Sequence, residues 1–356
     1  MSIRICAAGR WRYSSLSKAS SFQPSVLLQY RHQSTQTPHK VIFSGIQPTG
    51  VPHLGNYLGA LRQWVKLQND AAPDTRLLFS LVDLHAITVR QDPKQLLQWK
   101  NESLAMLLAI GLDPKRCTIF HQSDVSAHSE LMWILSGQAS TGYLGRMTQW
   151  KEKTANEKEN SEKLKLNLFS YPVLQAADVL LHRTTHVPVG HDQAQHLEFA
   201  REVANGFNHV YGQDILIPPQ TLVSPAKRVM SLTHPVSKMS KSHPNPKSRI
   251  LLTDSDELIQ SKIKSAVTDS IEGVTYEQDR RPGDLAADLA NISMRVLKEQ
   301  VSSAVTKLVA PIRERHESIV GNESLLDDVA TLGAAKATES AAPTLLQVKR
   351  AVGLCR

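Results

Sequence analysis

The sequence predicts a doubly wound α/β domain built on a parallel sheet, followed by an all-α domain. Short apolar runs alternate with amphipathic helical segments from residue 40 to about residue 225. These runs are continuously apolar, which is typical of parallel strands buried on both faces. Beyond residue 250 the periodic segments have helical spacing. The composition, 41% hydrophobic and 21% charged among 356 residues, is that of a globular chain, and no apolar run approaches the roughly 18 residues of a membrane span.

The start of the chain differs from the rest in charge. Residues 1–40 contain six of the 41 cations and none of the 33 acidic residues, and they are rich in serine. This composition is typical of a mitochondrial transit peptide, and it lacks the compact apolar core of a secretory signal. We therefore expect residues 1–39 to be a disordered transit peptide and the protein to lie in the mitochondrial matrix. A disordered basic arm without a targeting role is the alternative.

Strands and helices then alternate along the chain. "VIFSGI" predicts the first strand, and "PHLGNYLGALRQWVKLQ" predicts the helix after it. "RLLFSLV" and "CTIFHQS" predict two further strands, separated by the helix "KQLLQWKNESLAMLLAIGL". "HVPVGHDQAQHLEF" repeats the pattern of strand, turn and helix. Residues 40–228 are expected to form the α/β domain, whose ligands would bind outside the carboxyl ends of the strands.

The chain changes character near residue 215. No acidic residue occurs between Ile215 and Thr253, while six cations do, and the segment is rich in proline and serine. A loop of this composition suits an anionic ligand. We expect residues 229–249 to form a mobile loop and residues 250–356 to form the helical domain.

Two short motifs indicate phosphate chemistry. Neither G-x-x-x-x-G-K-[ST] nor G-x-G-x-x-G occurs, so a P-loop NTPase and a dinucleotide dehydrogenase have no support. Instead, "PHLGN" opens the first helix, where Gly55 leaves room for a nucleotide beside a helix N-terminus that favours phosphate. His53 and Asn56 lie three residues apart on that first turn. "KMSKS" follows 185 residues later, and the charges of Lys238 and Lys241 would stabilise a reacting triphosphate.

The two motifs resemble the H-I-G-H and K-M-S-K-S signatures of class I aminoacyl-tRNA synthetases. The blocks "GIQPTG", "VDLHAIT", "SYPVLQAADVLL", "HVPVGHDQAQH", "KMSKSHPNPK" and "IKSAVTD" narrow the resemblance to tryptophanyl-tRNA synthetases of the bacterial and mitochondrial type. The resemblance implies a Rossmann-type catalytic domain, a helical domain that binds the tRNA anticodon, and a homodimer. It implies that tryptophan and Mg-ATP react to tryptophanyl-adenylate and pyrophosphate, after which the 3′ end of tRNA(Trp) is charged.

The resemblance also implies the residues of the site. The catalytic positions are His53, Asn56, Lys238 and Lys241. The ATP-binding positions are Gln47, Pro48, Thr49, Gly55, Asn56, Gly190, His191, Asp192, Val229, Lys238, Met239, Ser240, Lys241 and Ser242. The tryptophan-binding positions are Phe43, His85, Tyr171, Gln175, Asp178 and Gln193. Spacing agrees for Tyr171, Gln175 and Asp178, because residues at i, i+4 and i+7 share one helix face.

Among these residues, Asp178 is expected to determine the selectivity for tryptophan over other amino acids. An indole N–H is a donor only, so a pocket that selects tryptophan needs a buried acceptor. A carboxylate on the face shared with Tyr171 and Gln175 meets that need. An ordinary surface aspartate is the alternative.

No tightly bound cofactor or protein metal site is expected, and Mg²⁺ would arrive with ATP. Four histidines occur close together in the sequence, but their spacing is not that of H-E-x-x-H and no cysteine accompanies them. They are His182, His186, His191 and His196.

Two departures from the family pattern leave alternatives open. His191 stands where the family usually has glutamate, and the stretch between "RPGDLA" and "APIRERH" is short. A tyrosyl-type ligase on the same fold and a non-catalytic RNA-binding paralogue are the rival interpretations.

Gln149 and Lys153 match family active-site positions, but they border a charged loop and fit a solvated role equally well.

Overall fold

The computed structural model describes residues 40–151, 165–190, 193–223, 228–241, 243–268 and 292–356. The expected transit peptide lies outside these ranges. So do four residues singled out above: Lys153, His191, Asp192 and Ser242. Within the ranges, no helix is both long enough and apolar enough to cross a bilayer.

A parallel sheet forms the centre of the described chain. Its strands are β1 (Val41–Ile46), β2 (Arg76–Leu81), β3 (Thr118–His121), β4 (His186–Val189) and β5 (Gln220–Val223), in the order β3-β2-β1-β4-β5. Each neighbouring pair is parallel. Because the chain moves to one side of β1 through β2 and to the other through β4, a crevice opens beyond the carboxyl end of β1. The predicted parallel sheet is confirmed.

Helices surround the sheet. They are α1 (Leu54–Asn56), which continues through a π-helical turn (Tyr57–Leu61) into α2 (Arg62–Asp70), and α3 (Asp83–Ala86), α4 (Pro93–Ala109), α5 (Ala127–Ser136), α6 (Thr141–Arg146), α7 (Leu166–Leu181), α8 (Ala194–Tyr211), α9 (Asp256–Lys264), α10 (Met294–Val320) and α11 (Glu323–Ala351). The local sequence explains several ends. Asp92 caps α4 by accepting from the Gln95 amide, and Pro93 occupies its first turn. Gly212 ends α8 in the left-handed conformation.

The sheet is covered by apolar groups on both faces. In β1, Val41 and Phe43 join one buried cluster while Ile42 joins the other. In β2, Leu78 belongs to the first cluster and Phe79 to the second. Successive side chains of a strand point to opposite faces, so the continuous apolar runs of the sequence fill two cores.

The C-terminal helices pack on the sheet and its helices. Helix α10 packs against α4, and α11 packs against the edge strand β3. Leu326 of α11 belongs to one core cluster and Ala337 to the other, so this helix lies along the edge of the sheet. The helical C-terminal region predicted from the sequence is confirmed. The boundary at residues 249 and 250 stays a prediction.

Candidate active site

The first signature begins at the turn after β1. His53 is the N-cap of α1: its Nδ1 accepts the Asn56 amide at 3.1 Å, and the Asn56 side-chain oxygen accepts the His53 amide at 3.1 Å. Burial, with the nearby charges of Lys241 and Arg249, lowers the pKa of His53 to about 4. The imidazole is therefore neutral near pH 7. Since Nδ1 accepts, Nε2 carries the proton and is a hydrogen-bond donor.

Gly55 keeps the backbone at the start of this helix accessible. A Cβ at this position would lie 3.0 Å from the His53 ring and 3.5 Å from Cβ of Val229. Any side chain here would fill the space between the first signature and Val229. The expected room for a nucleotide against this backbone thus has a structural basis.

The lysine motif lies beside this turn. Met239 is buried in a core cluster, and its amide donates to the Val229 carbonyl at 2.9 Å. Lys241 Nζ donates to the Gly50 carbonyl at 2.8 Å, and burial lowers the pKa of this lysine to about 8. Lys238 is exposed. The buried methionine therefore anchors the loop that carries the two lysines, and Lys241 joins it to the first signature.

The face of α7 predicted for the amino acid carries a hydrogen-bond network. Tyr171 Oη donates to Gln149 Oε1 at 2.6 Å and lies 3.0 Å from His196 Nε2. Burial raises the pKa of Tyr171 to about 12, so the phenol stays protonated. One turn further along, Gln175 Nε2 donates to Gln193 Oε1 at 3.2 Å.

Asp178 is buried in the same region, where it is hydrogen-bonded to two side chains and lies in ion-pair distance of a third. Gln122 Nε2 donates to Oδ1 at 2.7 Å, His128 Nδ1 lies 2.8 Å from Oδ1, and His85 Nε2 lies 2.9 Å from Oδ2. Burial by itself raises the pKa of Asp178, but the bonds from His128 and His85 outweigh it and lower the value to about 2. The carboxylate is charged at neutral pH. A carboxylate has about four acceptor positions, and the hydrogen bonds with Gln122 and His85 use two of them.

The remaining predicted residues are distributed around the crevice. Phe43 is buried in β1, where its ring stacks on His182 with centroids 5.8 Å apart. Gln47, Pro48 and Thr49 form the turn after β1, of which Gln47 is exposed. Gly190 is exposed after β4, and its carbonyl accepts the Gln193 amide at 3.1 Å. Ser240 is half-buried in the lysine motif.

Sequence reasoning missed several members of this network. Gln122, His128 and His196 contact predicted site residues, and Gly50 accepts from Lys241. A signal for Gln122 was present, because it directly follows β3, and His85 lies four residues after the end of β2. Side chains after neighbouring parallel strands meet at one sheet edge. No comparable signal marks His128, which reaches Asp178 from a helix in a distant part of the sequence.

Comparison with known proteins identifies the class. The family model described as class I tRNA synthetases (W and Y) matches residues 35–326. The match covers well over half of the chain. The chain therefore belongs to the class I tRNA synthetases of the tryptophan and tyrosine type.

Individual relatives narrow the class. The mitochondrial tryptophan–tRNA ligase of Schizosaccharomyces pombe is 44% identical over 347 residues, covering 89% of this chain and 96% of its own. The tryptophan–tRNA ligase of Caulobacter vibrioides is 44% identical over 333 residues, covering 88% and 95%. The structure of Campylobacter jejuni tryptophanyl-tRNA synthetase complexed with ADP and tryptophan has a TM-score of 0.74 and 30% identity, covering 88% and 99%. Within its class, the chain is a member of the tryptophan–tRNA ligases.

Proposed function

We propose that this chain is a mitochondrial enzyme that activates tryptophan with Mg-ATP and charges the 3′ end of tRNA(Trp). The tryptophan carboxylate attacks the α-phosphorus in line, the bond to the bridging oxygen breaks, and pyrophosphate leaves with the electron pair. This step needs positioning and charge stabilisation, not a protein nucleophile. In the second step a hydroxyl of the tRNA 3′-terminal ribose attacks the adenylate carbonyl and AMP leaves.

The described groups suit the first step. Neutral His53 offers an N–H at the start of the first helix, and Lys241 supplies a cation beside the turn at Gly50. Lys238 lies on the same loop and is exposed toward solvent. Cations on a loop anchored by Met239 are well suited to the charge that grows on the leaving pyrophosphate. The Mg²⁺ that accompanies ATP is part of the substrate.

The observation that carries the tryptophan assignment is the buried, ionised carboxylate of Asp178, whose hydrogen bonds with Gln122 and His85 leave an acceptor position for the substrate. The indole N–H of tryptophan matches that position, whereas phenylalanine would leave it unpaired. Sites that hydrogen-bond their substrate discriminate by about 10⁴ to 10⁵, far more than apolar contact alone. Tyrosine has a hydroxyl that both donates and accepts, so it is the competitor that the assay has to include.

The test is tryptophan-dependent exchange of pyrophosphate into ATP. The wild type should prefer tryptophan over tyrosine and phenylalanine. Asp178→Ala should raise the KM for tryptophan and narrow its margin over phenylalanine, while the KM for ATP stays unchanged. Preference of the wild type for tyrosine would indicate a tyrosyl-type ligase. Absence of any exchange would indicate a non-catalytic paralogue.

Location and assembly are part of the same proposal. The acid-free residues 1–39 and the mitochondrial relative support import into the matrix. A fluorescent fusion lacking residues 1–35 should stay in the cytosol, and the truncated enzyme should keep full exchange activity. Continued import of the truncated fusion would contradict the targeting role. A homodimer, supported by the family resemblance, should have about twice the chain mass of 39.5 kDa in light scattering.

The tRNA is assigned to the helical region of residues 250–356. Its support is the sequence resemblance together with the helical structure of the described C-terminal residues. Charging of tRNA(Trp) by the purified chain, measured as aminoacylation, tests this part separately. Exchange without charging would limit the protein to the first step.

A further inference from the structure

A chain of buried polar side chains connects Asp178 with helix α11. His128 of α5 lies 2.8 Å from the Asp178 carboxylate through Nδ1, and its Nε2 lies 3.4 Å from Nε2 of His182. His182, which ends α7, then places Nδ1 3.1 Å from Oγ of Ser340 in α11. Both imidazoles are completely buried, while Ser340 is half-buried. The chain thus runs from the tryptophan-binding face to a helix more than 150 residues away in sequence.

Proton positions in this chain are constrained at the Asp178 end. The carboxylate is ionised and accepts only, so the 2.8 Å contact of His128 Nδ1 with it is attractive when that nitrogen carries a proton. Burial lowers the pKa of His182 well below its ordinary value, so this imidazole is neutral. Neutral His182 can donate from Nε2 to Nε2 of His128 and accept the Ser340 hydroxyl at Nδ1, which extends the chain without a break.

Packing holds both rings in place. Phe120 stacks on His128 with centroids 5.8 Å apart, and Phe43 stacks on His182 at the same distance. Buried polar groups are costly unless they are paired. Neither histidine contacts the two signature motifs among the described residues. The two histidines therefore act on Asp178 and not on the groups of the phosphate site.

We propose that His128 is a positioning residue for the Asp178 carboxylate, held in place by His182 and Ser340, so that helix α11 contributes to the selection of tryptophan. This inference rests on the proposed role of Asp178. Nδ1 of His128 shares Oδ1 with Gln122, while His85 binds Oδ2. Fixing Oδ1 from two sides sets the rotation of the carboxylate and so the direction of its remaining acceptor position. The chain to Ser340 prevents the His128 ring from turning away.

The first experiment compares three variants by steady-state exchange. His128→Ala removes the donor, and we expect the KM for tryptophan to rise about tenfold, which matches one lost hydrogen bond to a charged group. The margin over phenylalanine should narrow by a similar factor, with kcat and the KM for ATP nearly unchanged. His128→Asn keeps an N–H at the place of Nδ1 and should remain within about threefold of the wild type. Ser340→Ala should raise the KM for tryptophan about threefold.

A matched control is available on the same helix. Ser324 is exposed near the start of α11, so Ser324→Ala should leave every kinetic constant unchanged. A wild-type KM for tryptophan in folded His128→Ala would overturn the proposal. An equal defect in His128→Asn and His128→Ala would do so too, because the ring and not its N–H would then matter. An unchanged Ser340→Ala would remove α11 from the chain and contradict the proposal as stated.

Two further measurements separate the outcomes. If Asp178→Ala keeps wild-type tryptophan kinetics, the proposed function of Asp178 fails; if only His128→Ala is without effect, the positioning role alone fails. Should His128→Ala not fold, nitrogen NMR of histidine-labelled full-length protein decides the question. His128 should hold a proton on Nδ1 in the wild type. A His128 that is protonated on Nε2 alone would overturn the proposal.

Discussion

Gly333→Ala is expected to destabilise the protein through the contact between α11 and β3. A Cβ on Gly333 would overlap the carbonyl oxygen of Ile119 and lie 2.8 Å from its carbonyl carbon. Ordinary contacts between such carbon atoms are about 3.4 Å or longer, so the helix must retreat by more than half an ångström. Neither group can turn aside, because the obstacle is strand backbone. The retreat also loosens the contacts of buried Ala337 and Ala341 in the same helix.

The expected cost is about 3 kcal/mol in the free energy of unfolding, the upper end of what overpacking usually costs. Urea unfolding followed by far-UV circular dichroism measures it as a lower midpoint. Gly206→Ala is the matched control, since Gly206 lies inside α8 and a Cβ there meets nothing within 4 Å. This substitution should stabilise by up to about 1 kcal/mol, because alanine favours the helix over glycine. The same change in two helices should thus have opposite signs.

A Gly333→Ala midpoint within error of the wild type would refute the reasoning. It would mean that α11 does not lie directly on the backbone of β3. A parallel loss in Gly206→Ala would instead show that both glycines are needed for a reason unrelated to helix packing.

Three further predictions concern the phosphate site. Lys238→Ala and Lys241→Ala should each lower the rate of adenylate formation by orders of magnitude, because a loop cation stabilises charge that develops in the reaction. Tryptophan binding, measured by calorimetry, should be retained in both variants. Near wild-type exchange in both would show that the loop is not catalytic. The kcat/KM for ATP should fall as the pH rises through about 8, because the free enzyme then loses the proton of Lys241. Lys241→Arg should remove this fall. A fall that persists in Lys241→Arg would show that another group titrates. Gly55→Val should weaken ATP binding without changing the KM for tryptophan, since the side chain would fill the space beside Val229; unchanged ATP affinity would place the nucleotide elsewhere.

Local patterns were sufficient for the elements of the fold. The continuous apolar runs "VIFSGI" and "RLLFSLV" became β1 and β2, and the Asp92-Pro93 pair marked the start of α4. The helix of Tyr171, Gln175 and Asp178 was evident from their spacing. These features depend on backbone geometry and on which face is apolar, both of which a short stretch of sequence specifies.

The contacts between distant elements needed the tertiary structure. Nothing near Gly50 in the sequence indicates that its carbonyl accepts from Lys241, and nothing near His128 indicates Asp178 as its partner. Single histidines and glutamines occur in every chain, and only their neighbours in space distinguish one from another. The pKa values of His53 and Lys241 follow for the same reason, since burial lowers both and nearby cations lower that of His53 further.

The sequence by itself determined strands β1 to β4 in their order, the two signature motifs, and the face of α7 that carries Asp178, but it predicted no strand at β5. Each depends on residues that are close together in the chain or on motifs distinctive enough to be read alone. Only the tertiary structure decided that α11 lies on the edge strand β3 and that Asp178 contacts the side chains of Gln122, His85 and His128. The physical reason is that hydrogen bonds and close packing act over a few ångströms in space, whatever the separation along the chain.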